Sequence, residues 1–281
     1  MGTTRLREKI DTLTTMQEDR RVIHLREVQK LAAESGRSIR EVELAALEAG
    51  VAPGRYLRNL GAVGMEGQAK LLRATAAIVG QGGLGGYVTE ALARMGIGRL
   101  VLIDGDVFEE HNLNRQLLSA EAKLGAGKVQ AASRRVAEIN GAVEVISHAV
   151  MLDRENLLPL LDGADVVVDA LDRLPIRLIL QDGARALGIP MVHGSIGGFL
   201  GQVMTIFPED QGLYALYGDR EELPEQGVEV RLGTPAATPM AVAAWEAQEV
   251  VKILSDRGEL LRNRLLMLDM ESGASEVLRM G

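Results

Sequence analysis

Gly80-x-Gly82-x-x-Gly85 opens a series of residues suited to holding phosphate. In such a turn the first glycine permits a tight bend and the second lets backbone approach an anion. The third lets helix and strand pack closely. A helix starting there points its free amides at the ligand. Asp104, past the next apolar run, stands where a carboxylate binds ribose hydroxyls. The glycine pattern alone suits a nicotinamide or flavin dinucleotide equally well. Asn112-x-x-Arg115-Gln116 and Lys128 shift the reading, because a triphosphate carries more charge than a pyrophosphate bridge and needs more cations. Arg115 offers a planar fork, and Lys128 a point charge near a helix start where amides are also free. Asp172, in Asp169-x-x-Asp172, is a carboxylate able to hold Mg2+ against phosphate, since magnesium takes one or two carboxylates with phosphates and water. Asp169, nearer the strand, suits orienting the loop. Each residue also has a plainer reading: a surface ion pair for Arg115, a solvated lysine for Lys128, N-caps of a helix near Pro175 for the two aspartates. Their order after a glycine turn favours a nucleotide site that stabilises charge during attack on phosphate.

The elements that must position these residues alternate. Strands are expected at 74–79, Arg99–Ile103, 143–147, Val166–Asp169, 190–193, 202–207 and 265–269. Helices are expected at 83–96, 126–139 and 240–254. Alternation of this kind predicts an α/β fold, a Rossmann-like doubly wound and mostly parallel sheet with helices on both faces. Residues 1–52 differ: they predict a small helical extension without strand patterns, ahead of a main domain at 53–281. Val22, Leu25, Val28, Leu31 and Ala32 recur at helical spacing. Ser35-Gly36 stops that helix, and Ser38 N-caps the next with Glu41 as its capping-box partner. Residues 28–47 have the rhythm of a helix-turn-helix, but charges over the segment nearly balance, so packing on the main domain or a dimer partner is favoured over DNA. Residues 211–239, rich in Gly, Pro and charge, read as a loop crossing the mouth of the site.

Composition sets bounds. The 281 residues carry a net charge of -8, which argues against broad nucleic-acid binding. No apolar run approaches the roughly 18 residues of a membrane span. The N-terminus is charged from Arg5 onward with no apolar secretory core, so the cytoplasm is the expected compartment. Zero cysteines exclude disulfides, Cys-ligated zinc, thioesters and persulfides on this chain. His24, His111, His148 and His193 are read as structural or exposed, with His111 near the site through its neighbour Asn112.

These residues carry a resemblance. Arg55-Tyr56-Leu57-Arg58-Asn59, Gly64-x-x-Gly67-Gln68, the 80–86 loop, Asp104-Gly105-Asp106, Asn112-Leu-Asn-Arg115-Gln116, Lys128-Val129, Asp169-x-x-Asp172 and Gly201-Gln202-Val203 come in order at compatible spacing. Over about residues 54–280 the chain resembles the ThiF/MoeB/HesA branch of the ubiquitin-activating enzyme superfamily. The resemblance implies binding of ATP with Mg2+ and adenylation of a carboxyl group, usually the C-terminal glycine of a small ubiquitin-like sulfur carrier ending in Gly-Gly. It implies nucleotide contacts at Gly83 and Asp104, phosphate-side catalytic roles for Asn112, Arg115 and Lys128, and magnesium at Asp172. It also implies a homodimer in which Arg58 serves the partner's phosphates. Three features depart from the pattern, one being that the crossover-loop cysteine of many members, which would fall near Glu229 or Val230, is missing. The usual Asp-Asn pair reads Asp172-Arg173. The zinc cysteines, the first pair of which would fall near Leu213 and Leu216, are missing, so the crossover loop is expected to be held by packing, without zinc.

The chemistry stands without the family. A C-terminal carboxylate, with a pKa of about 3.5, is ionised at neutral pH and needs no general base. The obstacle is repulsion between an anionic nucleophile and a polyanion, which cations reduce. Three other readings stay open: adenylation of a peptide or modified-tRNA carboxyl, a nicotinamide-dependent oxidoreductase, and a non-catalytic scaffold.

Overall fold

The computed structural model describes residues 2–218 and 229–280. The extension comprises α1 (Thr3–Thr12), β1 (Thr15–Gln17), β2 (Arg20–Ile23), α2 (Leu25–Ser35), α3 (Ile39–Glu48) and β3 (Ala52–Pro53). The main body continues with α4 (Leu60–Arg73), β4 (Thr75–Val79), α5 (Gly85–Met95), β5 (Arg99–Ile103), α6 (Lys128–Ile139), β6 (Glu144–His148), α7 (Leu157–Leu161) and β7 (Val166–Asp169). It ends with α8 (Leu174–Leu187), β8 (Met191–Gly197), β9 (Leu200–Ile206), α9 (Leu213–Tyr217), α10 (Glu229–Leu232), α11 (Ala237–Ser255), β10 (Arg264–Asp269) and β11 (Ala274–Arg279).

Among the described residues, eight strands form one sheet in the order β11-β10-β9-β8-β7-β4-β5-β6. Pairing from β6 through β8 is parallel, and from β8 through β11 antiparallel. The central strands are apolar on both faces, as strands covered by helices on two sides must be. Ala76, Ile78, Leu100, Leu102, Val166 and Val168 join a core shared with α5, α6 and α11. Ala77, Val79, Val101, Ile103 and Val167 join the opposite core with α7, α8 and α9. That split is the alternation of a strand's two faces. β4 lies between β5 and β7, so the chain winds one way from it and then returns to its other edge. The carboxyl ends at that switch point form the crevice where such sheets bind ligands.

The extension contains a three-stranded sheet, β1-β2-β3, which the expectation of a strand-free segment missed. Val22 belongs to β2, and α2 begins only at Leu25. These strands are two to four residues long and β1 is wholly exposed, so no alternation marks them in the sequence. The Ser38 cap forms as read: the Glu41 amide donates to Ser38 Oγ at 3.2 Å, and the Ser38 amide donates to Glu41 Oε2 at 2.7 Å. Leu6, Ile10, Ile23, Val28, Leu31, Val42, Ala46 and Val51 enclose an apolar cluster of their own. Polar contacts tie this unit to the body. Arg40 donates to the Gly98 carbonyl at 2.8 Å. Glu43, buried on α3, pairs with Arg55 Nε at 3.1 Å and accepts from the Tyr56 hydroxyl at 3.1 Å. Asn140, at the end of α6, donates to that hydroxyl at 2.9 Å. Burial pushes the Glu43 carboxyl up to about 7, against the opposing pull of Arg55 and Tyr56.

The stretch read as an irregular loop at 211–239 holds α9, α10 and the start of α11; its part at 219–228 lies outside the described residues. Leu213, where the family pattern has a zinc cysteine, is buried in the core beneath α8, with Leu216 packed against it. Among the described residues no helix is long and apolar enough to cross a membrane.

Candidate active site

The turn after β4 divides its glycines between two tasks. Gly80 has φ +95°, and a Cβ there would lie 2.5 Å from the Ala170 carbonyl oxygen. A Cβ at Gly85 would overlap the Gly80 carbonyl. These two let the turn close on itself and on the loop after β7. Gly82 and Gly83 have no neighbour closer than 3.6 Å to a built Cβ. They line, with Gly80, a cavity of about 500 Å³ at the switch point of the sheet. Gly85 is outside that lining, so its contribution is the tight strand–helix junction and not contact with ligand.

Asp104, at the end of β5, lines the cavity and is held by backbone: the Gln81 amide donates to Oδ2 at 2.6 Å and the Asp106 amide to Oδ1 at 2.7 Å. Burial raises its pKa, although those amides and Lys128 pull it down. Lys128 starts α6, is nearly buried, and donates Nζ to Asp106 Oδ2 at 2.9 Å. Asp106 was not among the expected site residues; its place two residues after Asp104 was the only signal. Arg115 lines the same cavity and donates Nη1 to the His111 carbonyl and to Asn114 Oδ1, both at 2.9 Å. Burial lowers the Arg115 pKa, while the Asp172 charge opposes the shift. Gln116 lines the cavity too, and its buried Oε1 has no hydrogen-bond partner. A buried orphan acceptor beside open glycines is a place for a ligand donor.

Two expected contributors are elsewhere. Asn112 is buried outside the cavity lining, and its side-chain oxygen accepts from the Glu109 amide at 3.0 Å in a reciprocal cap. Its carbonyl accepts from the Arg115 and Gln116 amides at 3.1 and 2.9 Å. Asn112 therefore shapes the turn that presents Arg115 and Gln116. Arg58 is exposed and paired with Glu18 of the extension at 3.0 Å, away from the cavity of its own chain.

Asp172 lines the cavity, within electrostatic reach of Arg115. Neither aspartate caps α8: its N-cap is Arg173, with no side-chain cap bond. Asp169 is fully buried behind the cavity, where His193 Nδ1 donates to its Oδ2 at 2.7 Å. Arg177 lines the cavity and was missed; its spacing from Leu174 and Leu180 on the buried face of α8 was the available signal. Burial works against ionisation of Asp169, but the Arg177 charge and the His193 bond hold its pKa below the ordinary value. Burial lowers the His193 pKa, so the ring is neutral, carrying its proton on Nδ1. Glu246, on α11, is fully buried with neither carboxyl oxygen partnered, and burial raises it well above the carboxylate range. A Cβ at Gly194 would collide with that carboxyl, so the strand leaves room for it.

The site suits a magnesium nucleotide. Among the described residues no group of three His, Asp or Glu could hold a metal alone. An ion that arrives with phosphates needs only one carboxylate, and Asp172 beside Arg115 offers it. Val150, Met151, Leu152 and Ile196 give the cavity an apolar wall.

The ThiF family model matches residues 56–281. The SAMP-activating enzyme E1 of Haloferax volcanii is 38% identical over 220 residues, covering 76% of this chain and 80% of that protein. The adenylyltransferase and sulfurtransferase MOCS3 of Mus musculus is 35% identical over 230 residues, covering 80% of this chain but 50% of its own length. The chain thus spans about half of MOCS3. Among solved structures, E. coli MccB with MccA-N7isoASN superposes with a TM-score of 0.70 at 25% identity, over 81% of this chain and 72% of that one.

Proposed function

The chain belongs to the ThiF family and is an adenylyltransferase, and from that premise we propose that it activates the C-terminal carboxylate of a small ubiquitin-like sulfur carrier ending in Gly-Gly. The nicotinamide reading lapses with that assignment. One observation carries the proposal: Arg115, Lys128 and Asp172 converge on a cavity floored by Gly82 and Gly83. The name of the haloarchaeal relative points to the class of acceptor.

In this reading an oxygen of the carrier's carboxylate attacks the α-phosphorus of ATP. The new bond is carboxyl oxygen to phosphorus; the bond to the β-phosphate bridge breaks, and pyrophosphate leaves with the electron pair. No proton moves, so no base is assigned. Gly82 and Gly83 offer backbone to the phosphates, and Asp104 faces the ribose. Arg115 and Lys128 stabilise the charge that builds on phosphate, Lys128 exchanging its contact with Asp106 for the ligand. Asp172 would hold magnesium, which when bound neutralises phosphate charge. Arg58 acts from a second copy in a homodimer. With no cysteine, the chain cannot keep the acyl group as a thioester, and an external nucleophile must consume the acyl-adenylate.

A second acceptor, a short peptide, is favoured by the likeness to MccB solved with an MccA derivative. The test is ATP–pyrophosphate exchange against a panel of ubiquitin-like proteins ending in Gly-Gly and of short peptides. Exchange with a carrier, and an AMP adduct on it by intact mass, is the expected result. Exchange only with peptides would overturn the carrier reading.

A further inference from the structure

The loop at 170–172 walls the cavity and ends in Asp172, and it is gripped from both sides. On one side lies the glycine turn, with the Ala170 carbonyl against Gly80 and the Ala170 amide donating to the Val79 carbonyl at 3.0 Å. On the other lies a buried polar cluster. The Leu171 amide donates to Asp169 Oδ1 at 3.2 Å, and Arg177 Nη2 donates to the Leu171 carbonyl. Arg177 Nη1 donates to the Gly194 carbonyl at 3.2 Å and stands 3.9 Å from Asp169 Oδ2. His193 Nδ1 takes that same Asp169 oxygen, and Gln202 Nε2 approaches His193 Nε2 at 3.3 Å, placing a donor on the ring nitrogen left without a proton. The amide and the carbonyl of Leu171 therefore end on buried side chains. Buried polar groups so paired resist displacement, because each broken bond leaves a desolvated partner behind.

We propose that Arg177 is a positioning residue for adenylation, locked by Asp169 and His193 so that its guanidinium fixes the Leu171 carbonyl and, through that loop, the place of Asp172. This rests on the nucleotide reading of the cavity only for what Asp172 meets; the locking is a property of the free chain. The His193 ring offers a way to separate locking from packing. An asparagine side chain mimics the Nδ1 end of histidine and keeps a donor for Asp169. A glutamine mimics the Nε2 end and does not.

Hydrogen exchange by mass spectrometry on the nucleotide-free protein tests the lock directly. In His193→Gln and Arg177→Lys the peptide spanning 170–172 should exchange about tenfold faster, the equivalent of one net hydrogen bond, while His193→Asn keeps the parent rate. Nucleotide affinity without metal should stay at the parent value in both His193 variants. With magnesium, the concentration giving half-maximal pyrophosphate exchange should rise about tenfold in His193→Gln and Arg177→Lys only. Unchanged loop exchange in both His193→Gln and Arg177→Lys overturns the proposal, as does a loss in His193→Asn equal to that in His193→Gln. A parent enzyme silent in pyrophosphate exchange would sink the functional reading alone, because the exchange of loop amides is read without nucleotide. Should Arg177→Lys fail to fold, the two His193 variants decide.

Discussion

Arg115 and Lys128 reach the same cavity from different elements and are restrained in different ways. Lys128 is nearly buried and holds one carboxylate, that of Asp106; Arg115 rests on a carbonyl and an amide oxygen. Neither contact is so strong that phosphate could not replace it, and both leave a charge aimed at one volume. Arg115→Ala and Lys128→Ala should each lower the rate of pyrophosphate exchange by about 100-fold or more while leaving thermal unfolding near the parent, since each removes one oriented charge from the transition state. Turnover within threefold or so of the parent in either variant would strike that residue from the mechanism. At this scale the sequence points to the cavity where a residue's place is set by its own neighbours. Asp104 and Lys128 follow a turn and a helix start that their flanking residues announce. Asn112 carries no such sign, because a polar residue one turn before Arg115 looks the same whether it faces ligand or caps a turn. Asp169, His193 and Arg177 could not be joined on paper, because their contacts link two strands and a helix across a packed core.

Elements explain which glycines the turn can surrender. Gly85 sits where helix α5 leaves the turn, and any side chain there would occupy the space of the Gly80 carbonyl. Gly85→Ala should cost about 3 kcal/mol by urea unfolding, at the upper end for overpacking, and nucleotide binding should fall with it. Gly82→Ala has room, so it should fold like the parent and lose nucleotide affinity alone. Equal unfolding midpoints for the two variants would contradict this division. Strands β5 and β7 were legible to the residue because continuous apolar runs bounded by Asp are hard to read otherwise. β11 was not: all its residues are exposed and it forms the sheet's edge, so neither alternation nor hydrophobicity marks it. The short strands of the extension were hidden because two to four residues are too few to show alternation, whereas the Ser38–Glu41 cap was visible because it is a local, four-residue pattern.

Over the whole molecule, Glu43 is the hinge pin between extension and body. Its folded-state pKa of about 7 lies above the ordinary 4.5, so folding takes up a proton between those limits. The stability this contributes is fully present below the lower value and is lost as pH rises through the higher one. Glu43→Gln should exceed the parent in urea unfolding only slightly at about pH 5 and by a further kcal/mol or more at about pH 8, at roughly 1.4 kcal/mol per pKa unit. A gap that does not widen with pH would mean that Arg55 keeps the carboxylate ionised throughout. The order of the sheet also has a consequence in time. β4 sits between β5 and β7, and β7 leaves the ribosome only after α6 and β6. A chain under synthesis therefore owns the glycine turn, Arg115 and Lys128 while one edge of a wholly buried strand is still bare. An unpaired edge is a template for the wrong neighbour. Asp169 and Asp172 arrive with the stretch that closes the edge, so the carboxylate end of the site and the strand that shields the growing chain from aggregation come from the same segment.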